Sequence, residues 1–158
     1  MKKILLPVLF TLAACAAPEG RVHDPAMAAM HGAAGPDTRA AVRFPPELRA
    51  RTLANMRDHL ATLQQVQDAL GRGDYDRAAG LAESRLGLSS LEAHGAHQVA
   101  PYMPAGMQEA GTAMHKAASR FAIEAANAGA TGDAKPAIAA LAGVTAQCVA
   151  CHAAYRLE

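Results

Sequence analysis

Apolar side chains along this chain recur at spacings of three and four residues, broken by clusters of Gly, Pro and Asp, and no strand-like alternation competes with that pattern. Phe44-Pro45-Pro46-Glu47 puts proline in a helix's opening turn and an acid beside the positive end of its dipole. The stripe Leu53, Met56, Leu60, Leu63, Leu70 follows and predicts an inward-facing seam. Gly71-Arg72-Gly73-Asp74 is a stop and restart, with Asp74 as N-cap of a second helix through Tyr75, Ala79, Ala82 and Leu86. Gly80 and Gly87 weaken that helix. The stretch from Gly87 to His97 reads either as its continuation, with Leu88 and Leu91 inward, or as a break.

Val99-Ala100-Pro101-Tyr102-Met103-Pro104-Ala105-Gly106 excludes a regular helix and forms the long connection. A third helix carries the stripe Met107, Gly111, Met114, Ala118, Phe121, Ala125, with small residues where something bulky can approach, and stops between Ala128 and Gly132. Asp133 caps a fourth helix, Pro136 sits in its first turn, and its stripe is Ile138, Leu141, Thr145, Cys148, His152, Tyr155. Four such helices joined mostly by short connections predict an all-α, antiparallel four-helix bundle over residues 45–158.

Composition changes the picture at both ends of the chain. Apolar residues make up 51% of the 158, yet aromatics only 4%, with no Trp. The core must be built from Ala, Leu, Val and Met plus something large and flat. The formal charge of +1 becomes −1 once Lys2 and Lys3 are removed with a leader, so no basic surface for nucleic acid is implied. Residues 1–14 read as a secretory signal, with Lys2 and Lys3 as its positive region and Ile4 to Leu12 as an apolar run too short to span a bilayer. Leu12-Ala13-Ala14-Cys15 resembles the bacterial lipobox, which makes Cys15 the expected lipidated first residue and a membrane anchor. Ordinary cleavage after Ala14-Cys15-Ala16 is the alternative. Residues 15–44, rich in Ala, Gly and Pro, read as a flexible tether. Its His23, Met27, Met30 and His31 offer soft-metal donors, or are scattered side chains on a leash.

The chemistry concentrates in Cys148-Val149-Ala150-Cys151-His152, the C-x-x-C-H signature of covalent haem attachment. Thiols three positions apart share one face of a helix, where both can bond the vinyl groups of one haem c, and the next His can reach the iron. Half of a zinc site or a redox pair is the competing reading, but zinc needs four ligands and no second Cys pair exists. His152 is therefore the expected proximal iron ligand, and the macrocycle is the flat object the core lacks.

Other histidines and methionines are weighed against it. His59 follows Met56 by three residues and reads as a rival ligand, an outer partner of the haem, or an ordinary half-exposed helix residue. His94 and His97 chelate a metal only if their segment is helical, with Met103 near in sequence. Met114 and Phe121 read as packing around the macrocycle and His115 as a flanking residue. Arg156, just after Tyr155, reads as a haem propionate partner or an exposed terminal side chain.

Over residues 46–158 the chain resembles the cytochrome c′ family and its low-spin, six-coordinate relatives. The resemblance rests on the C-terminal place of Cys148-Val149-Ala150-Cys151-His152, the trailing Ala153-Ala154-Tyr155-Arg156, the loop Val99 to Gly106, and Ala113-Met114-His115. It implies a periplasm-facing four-helix cytochrome, often a homodimer, that serves electron transfer or binds small gases. It also implies a first-helix residue on the distal side of the haem. Met56, the only Met of that helix, is the expected sixth ligand, with Leu53 one turn away as the apolar alternative.

The leading expectation is one-electron transfer with an unidentified redox partner protein, through a His- and Met-ligated haem. A gas-binding cytochrome for nitric oxide or carbon monoxide is the alternative. A metal-handling lipoprotein using the tether and loop is the third. No acid–base constellation marks an enzyme.

Overall fold

A computed structural model describes residues 36–158, and Thr38–Glu158 forms one compact unit. The expected signal segment over residues 1–14, Cys15, His23, Met27, Met30 and His31 lie outside the described residues. The unit is mostly helical: β1 (Ala40–Val42), α1 (Pro46–Gly71), α2 (Tyr75–Arg85), a 3-10 turn (Leu88–Ser90), the single turn α3 (Ala96–Val99), a second 3-10 turn (Ala100–Tyr102), α4 (Ala105–Thr131), α5 (Lys135–Ala154) and β2 (Tyr155–Leu157).

Helix boundaries follow the punctuation of the chain. Pro45 is the N-cap of α1, Pro46 opens it and Glu47 is the acid of its first turn. The Asp74 side chain accepts from the Arg77 N–H at 3.3 Å and starts α2. Pro136 lies in the first turn of α5, and Asp133 Oδ1 accepts from the Lys135 N–H at 3.0 Å, although Ala134 holds the N-cap position itself. After α2 the chain breaks rather than continuing: Arg85 ends the helix and Leu88 is 43% exposed.

Packing corrects which faces turn inward. On α1 the buried residues are Thr52, His59, Thr62, Val66 and Ala69, while Leu60, expected inside, is 70% exposed. On α5 they are Ala137, Leu141 and Val144, continuing through half-buried Cys148 and Cys151. Ile138 is 58% exposed, and Thr145 and His152 are also exposed. Both stripes are therefore turned by about one position from the expected ones. The cause is the same in each: α5 brings small Ala137 against its neighbour, and α1 buries hydroxyls and an imidazole that a hydrophobic pattern passes over. α5 is also the one helix among the described residues long and apolar enough to cross a membrane, by length and composition, with mean hydropathy 1.6.

The main core joins α2, α4 and α5 through Ala78, Ala82, Leu86, Met114, Ala118, Phe121, Ala125, Leu141 and Val144, with Val66 and Ala69 entering from α1. α4 packs along both α2 and α5, and α1 packs on α2. A second, smaller core lies at the other end, where Val42, Phe44 and Met107 are buried with Leu48, Met103, Cys151, Tyr155 and Leu157 against them.

That second core departs from the expected tether, which was drawn to residue 44. β1 pairs in parallel with β2, Ala40 opposite Tyr155 and Val42 opposite Leu157, and the Glu158 N–H donates to the Val42 carbonyl at 3.0 Å. Two three-residue strands carry no periodic signal, so only their long-range pairing defines them. Gly106 makes room for this closure: a Cβ there would meet the Tyr155 hydroxyl oxygen at 2.6 Å.

The turned face of α5 is directly testable. Leu141→Ala is expected to cost about 2–5 kcal/mol of stability, whereas Ile138→Ala should stay within about 0.5 kcal/mol, both read from urea unfolding. The reverse ranking would restore the stripe through Ile138.

Candidate functional site

A cavity of about 490 Å³ with mostly apolar walls opens beside α1, α4, α5 and the 91–103 segment. Its volume falls within the roughly 300–1,000 Å³ typical of small-molecule and cofactor sites. A shallower depression of about 470 Å³ on the outer side of α4, from Ala105 to Lys116, contains no thiol or imidazole.

α5 contributes Cys148, Cys151 and His152 to the wall of the larger cavity. The two cysteines are free thiols, half-buried on one face of the helix, and the Cys148 Sγ–H points back to the Val144 carbonyl at 3.6 Å. Burial pushes both thiols above the ordinary range, and for Cys151 the neighbouring Cys148 adds to it. His152 is exposed at the cavity's edge, and its backbone carbonyl accepts from Arg39 Nη1 at 3.4 Å. Tyr155 and Arg156 line the same end; Arg156 pairs with Glu158 at 2.9 Å.

α1 contributes Thr52, Leu53, Asn55, Met56 and His59. Met56 and Leu53 are both half-buried and both reach the cavity. Thr52 is 8% exposed and its hydroxyl oxygen has no hydrogen-bond partner. Such a buried polar atom is costly unless something in the cavity meets it.

The histidines arrange themselves differently from the sequence expectation. His97 is exposed and does not line the cavity, so the His94–His97 pair does not form. His94 instead joins His59 and His115 on the cavity wall, with ring centroids 4.7 Å (His59–His94), 5.6 Å (His94–His115) and 6.1 Å (His59–His115) apart. His59 is buried rather than half-exposed, and His115 is a buried wall residue rather than a flanking one. Phe121 sits wholly within the main core and does not line the cavity, whereas Met114 does.

Local structure explains how His94 is brought there. Gly95 holds a left-handed conformation (φ +66°) that turns the chain, and a Cβ on it would strike the Arg51 guanidinium at 2.6 Å. Arg51 in turn donates to the Ala93 carbonyl at 3.0 Å, and Asn55 Nδ2 to the His94 carbonyl at 3.0 Å. The loop is thus tied to α1 by hydrogen bonds to its backbone. His115 is fixed by its partner: its Nδ1 lies 2.7 Å from the Leu86 carbonyl, which can only accept, so Nδ1 carries the proton. Ser90 donates to the Gly87 carbonyl at 2.7 Å and lies 3.4 Å from Nδ1 of both His94 and His115.

Burial disfavours charge on His59 and His94. The His59 pKa is lowered to about 4, first by desolvation, then by the His94 and His115 rings, with Asp58 opposing. His94 is lowered as well, by desolvation and then by His115. Ser90 and the burial of His115 on this wall escaped sequence reasoning. The available signal was the width of the α4 face: a helix packed on two neighbours buries adjacent positions such as 114 and 115 together.

Comparison with family models, curated proteins and solved structures finds no match to this chain. The functional reading accordingly rests on the chain's own residues.

The depressed His59 predicts a specific pH response. The unfolded chain takes up a proton near pH 6.5 that the folded chain refuses until about pH 4. Stability is therefore full above about pH 6.5 and falls as the pH drops towards 4, by on the order of 3 kcal/mol. Urea midpoints measured from pH 7 to 4 with EDTA present should show this slope, and His59→Gln should flatten most of it. An equal slope in both proteins would assign the response elsewhere.

Proposed function

We propose that this chain is a periplasm-facing c-type cytochrome, an antiparallel four-helix bundle that passes single electrons to and from a partner protein through one covalently bound haem c. One observation carries the reading: two free thiols on one helical face, the His that follows them and a Met from α1 all border a single cavity. The donor set fits the group. Cys148 and Cys151 would hold it by thioether bonds, and His152 and Met56 would ligate its iron. When bound, it supplies a one-electron iron couple.

The chain's own part is to hold, orient and dry the site. Leu53, Leu91, Val99, Met107 and Met114 supply apolar wall. Val42, Phe44, Tyr155 and Leu157 close one end and fix the tail that follows His152. The exposed position of His152 leaves the cavity's edge near solvent, where a partner can exchange an electron without entering the protein. The N-terminal segment would supply the address: a leader ending at Ala14 and a lipid on Cys15 that keeps the domain at a membrane.

A second reading, reversible binding of nitric oxide or carbon monoxide, is favoured by Thr52 and Leu53. An unpartnered hydroxyl on a buried wall could donate to a small gas molecule held in the cavity, and Leu53, one turn from Met56, would bring no donor atom to the iron if it took the place of the thioether.

Covalent attachment predicts that the pigment stays with the polypeptide in acid-acetone and gives a pyridine haemochrome of c type. The Cys148→Ser/Cys151→Ser double variant should lose both. Extraction of free haem from the native chain would refute the assignment.

Met56 ligation predicts a low-spin ferric spectrum with a weak near-infrared sulfur band. Met56→Ala should convert it to high spin and admit carbon monoxide on reduction. A native spectrum already high-spin at neutral pH would transfer the conclusion to gas binding, and loss of the low-spin form only in His59→Gln would assign His59 as the ligand.

A further inference from the structure

We propose that His59, His94 and His115 form a second metal site, for a late first-row divalent ion such as Zn²⁺ or Cu²⁺, with the ion's remaining coordination position open to the cavity. The three residues come from α1, the loop after α2, and α4, and all line the cavity wall. Nothing in the electron-transfer reading requires them. The site also stands without that reading, because none of the three is among the expected haem attachments.

The His59 and His94 rings already have the spacing of ligands around one ion, and the His115 ring lies somewhat farther from each. A tetrahedral ion with metal–nitrogen bonds of about 2.0–2.1 Å holds its donor nitrogens about 3.3–3.4 Å apart, and the centroids of three imidazoles about 5 Å apart. His59 Nε2 and His94 Nδ1 are 3.4 Å apart, and the three centroid separations are 4.7, 5.6 and 6.1 Å. As a hydrogen bond, 3.4 Å between ring nitrogens is long against the usual limit of about 3.2 Å. As the edge of a coordination tetrahedron it fits. As they stand, the side chains among the described residues form no group of three His, Cys, Asp or Glu able to hold an ion, so binding requires the rings to turn.

The protonation pattern suits ligation too. His115 donates its Nδ1–H to the Leu86 carbonyl, which leaves Nε2 with the lone pair. A ligand His whose other nitrogen is tied to a backbone carbonyl is the common way of fixing tautomer and ring orientation at metal centres. His59, 7% exposed, has the His94 ring as its hydrogen-bonding neighbour, so the two imidazoles already face one another across the wall. Neutral imidazoles are the form that binds, and nitrogen donors of this kind suit Zn²⁺ and Cu²⁺. The Asp58 carboxylate beside His59 favours a cation, partly offset by Arg51 and by Arg85, which pairs with Asp58.

The test is equilibrium dialysis of the full-length chain against Zn²⁺ after EDTA treatment, with metal counted by mass spectrometry. Haem content and free thiols are measured on the same sample, so failure of the haem reading and zinc held by Cys148 and Cys151 are both recognised. One Zn²⁺ per chain is expected beyond any iron. His59→Gln and His94→Gln should each weaken binding by more than the roughly 10–100-fold that loss of an outer-shell partner costs. His97→Gln, at an exposed position three residues from His94, and His23→Gln/His31→Gln in the N-terminal segment should leave it unchanged. Zn²⁺ should raise the unfolding temperature of the native chain and not of His59→Gln, a readout that does not depend on how well His115 variants fold. Absence of Zn²⁺ binding by the native chain, equal binding by His59→Gln and His94→Gln, or loss confined to the His23→Gln/His31→Gln variant would each overturn the proposal.

Discussion

Close packing of α4 against α2 and α5 is the constraint on which the rest of the molecule depends. Ala118, Phe121 and Ala125 have no exposed surface, and Ala117 and Ala128 almost none. Small side chains at these positions let two helices approach α4 closely while Phe121 fills the space between them. α1 is then left to pack on α2 rather than along α5. Its free flank, Thr52 to His59, faces a space that no neighbouring helix fills, and the cavity is that space.

Two sets of chemical groups share the walls of this cavity, and one physical effect acts on both. Removing water disfavours charge, so the Cys148 and Cys151 thiols are held protonated while His59 and His94 are held neutral. In the proposed cytochrome these thiols and the adjacent His, at a solvent-facing edge, would hold the haem. Imidazoles from α1, the loop after α2 and α4 would suit the metal ion proposed above. In the proposed cytochrome both would lie in one compartment, so an ion on the trio would face the same space as the iron.

The two ends of the folded unit close the structure in different ways. At the α2–α4–α5 end, burial of Ala, Leu and Phe suffices. At the cavity end residues 40–44 and the C-terminal tail are brought together by a two-strand ladder, a Phe44–Tyr102 edge contact with centroids 6.3 Å apart, and the Arg43–Glu158 pair at 3.0 Å. The exposed ion pair adds little, since surface pairs contribute about 0–1 kcal/mol. Burial of Val42 and Phe44 contributes more, and it ties the residues just before α1 to those just after His152.

Local signals in the sequence determined where the helices start and stop, because each depends on backbone chemistry within one turn: Pro46 and Pro136 at opening turns, Asp74 capping Arg77, glycines after α1 and α4. They also identified the thiol pair and its His, since spacing on one helix is itself local. Tertiary structure alone decided which face of α1 and α5 turns inward, because that depends on what lies across the gap. A leucine such as Leu60 stays in solvent while Thr52 and His59 are buried. It alone gathered His59 and His94, 35 residues apart, with His115, and paired β1 with β2. No periodicity encodes such meetings; they follow from helix packing that places distant, individually ordinary residues within a few ångströms of one another.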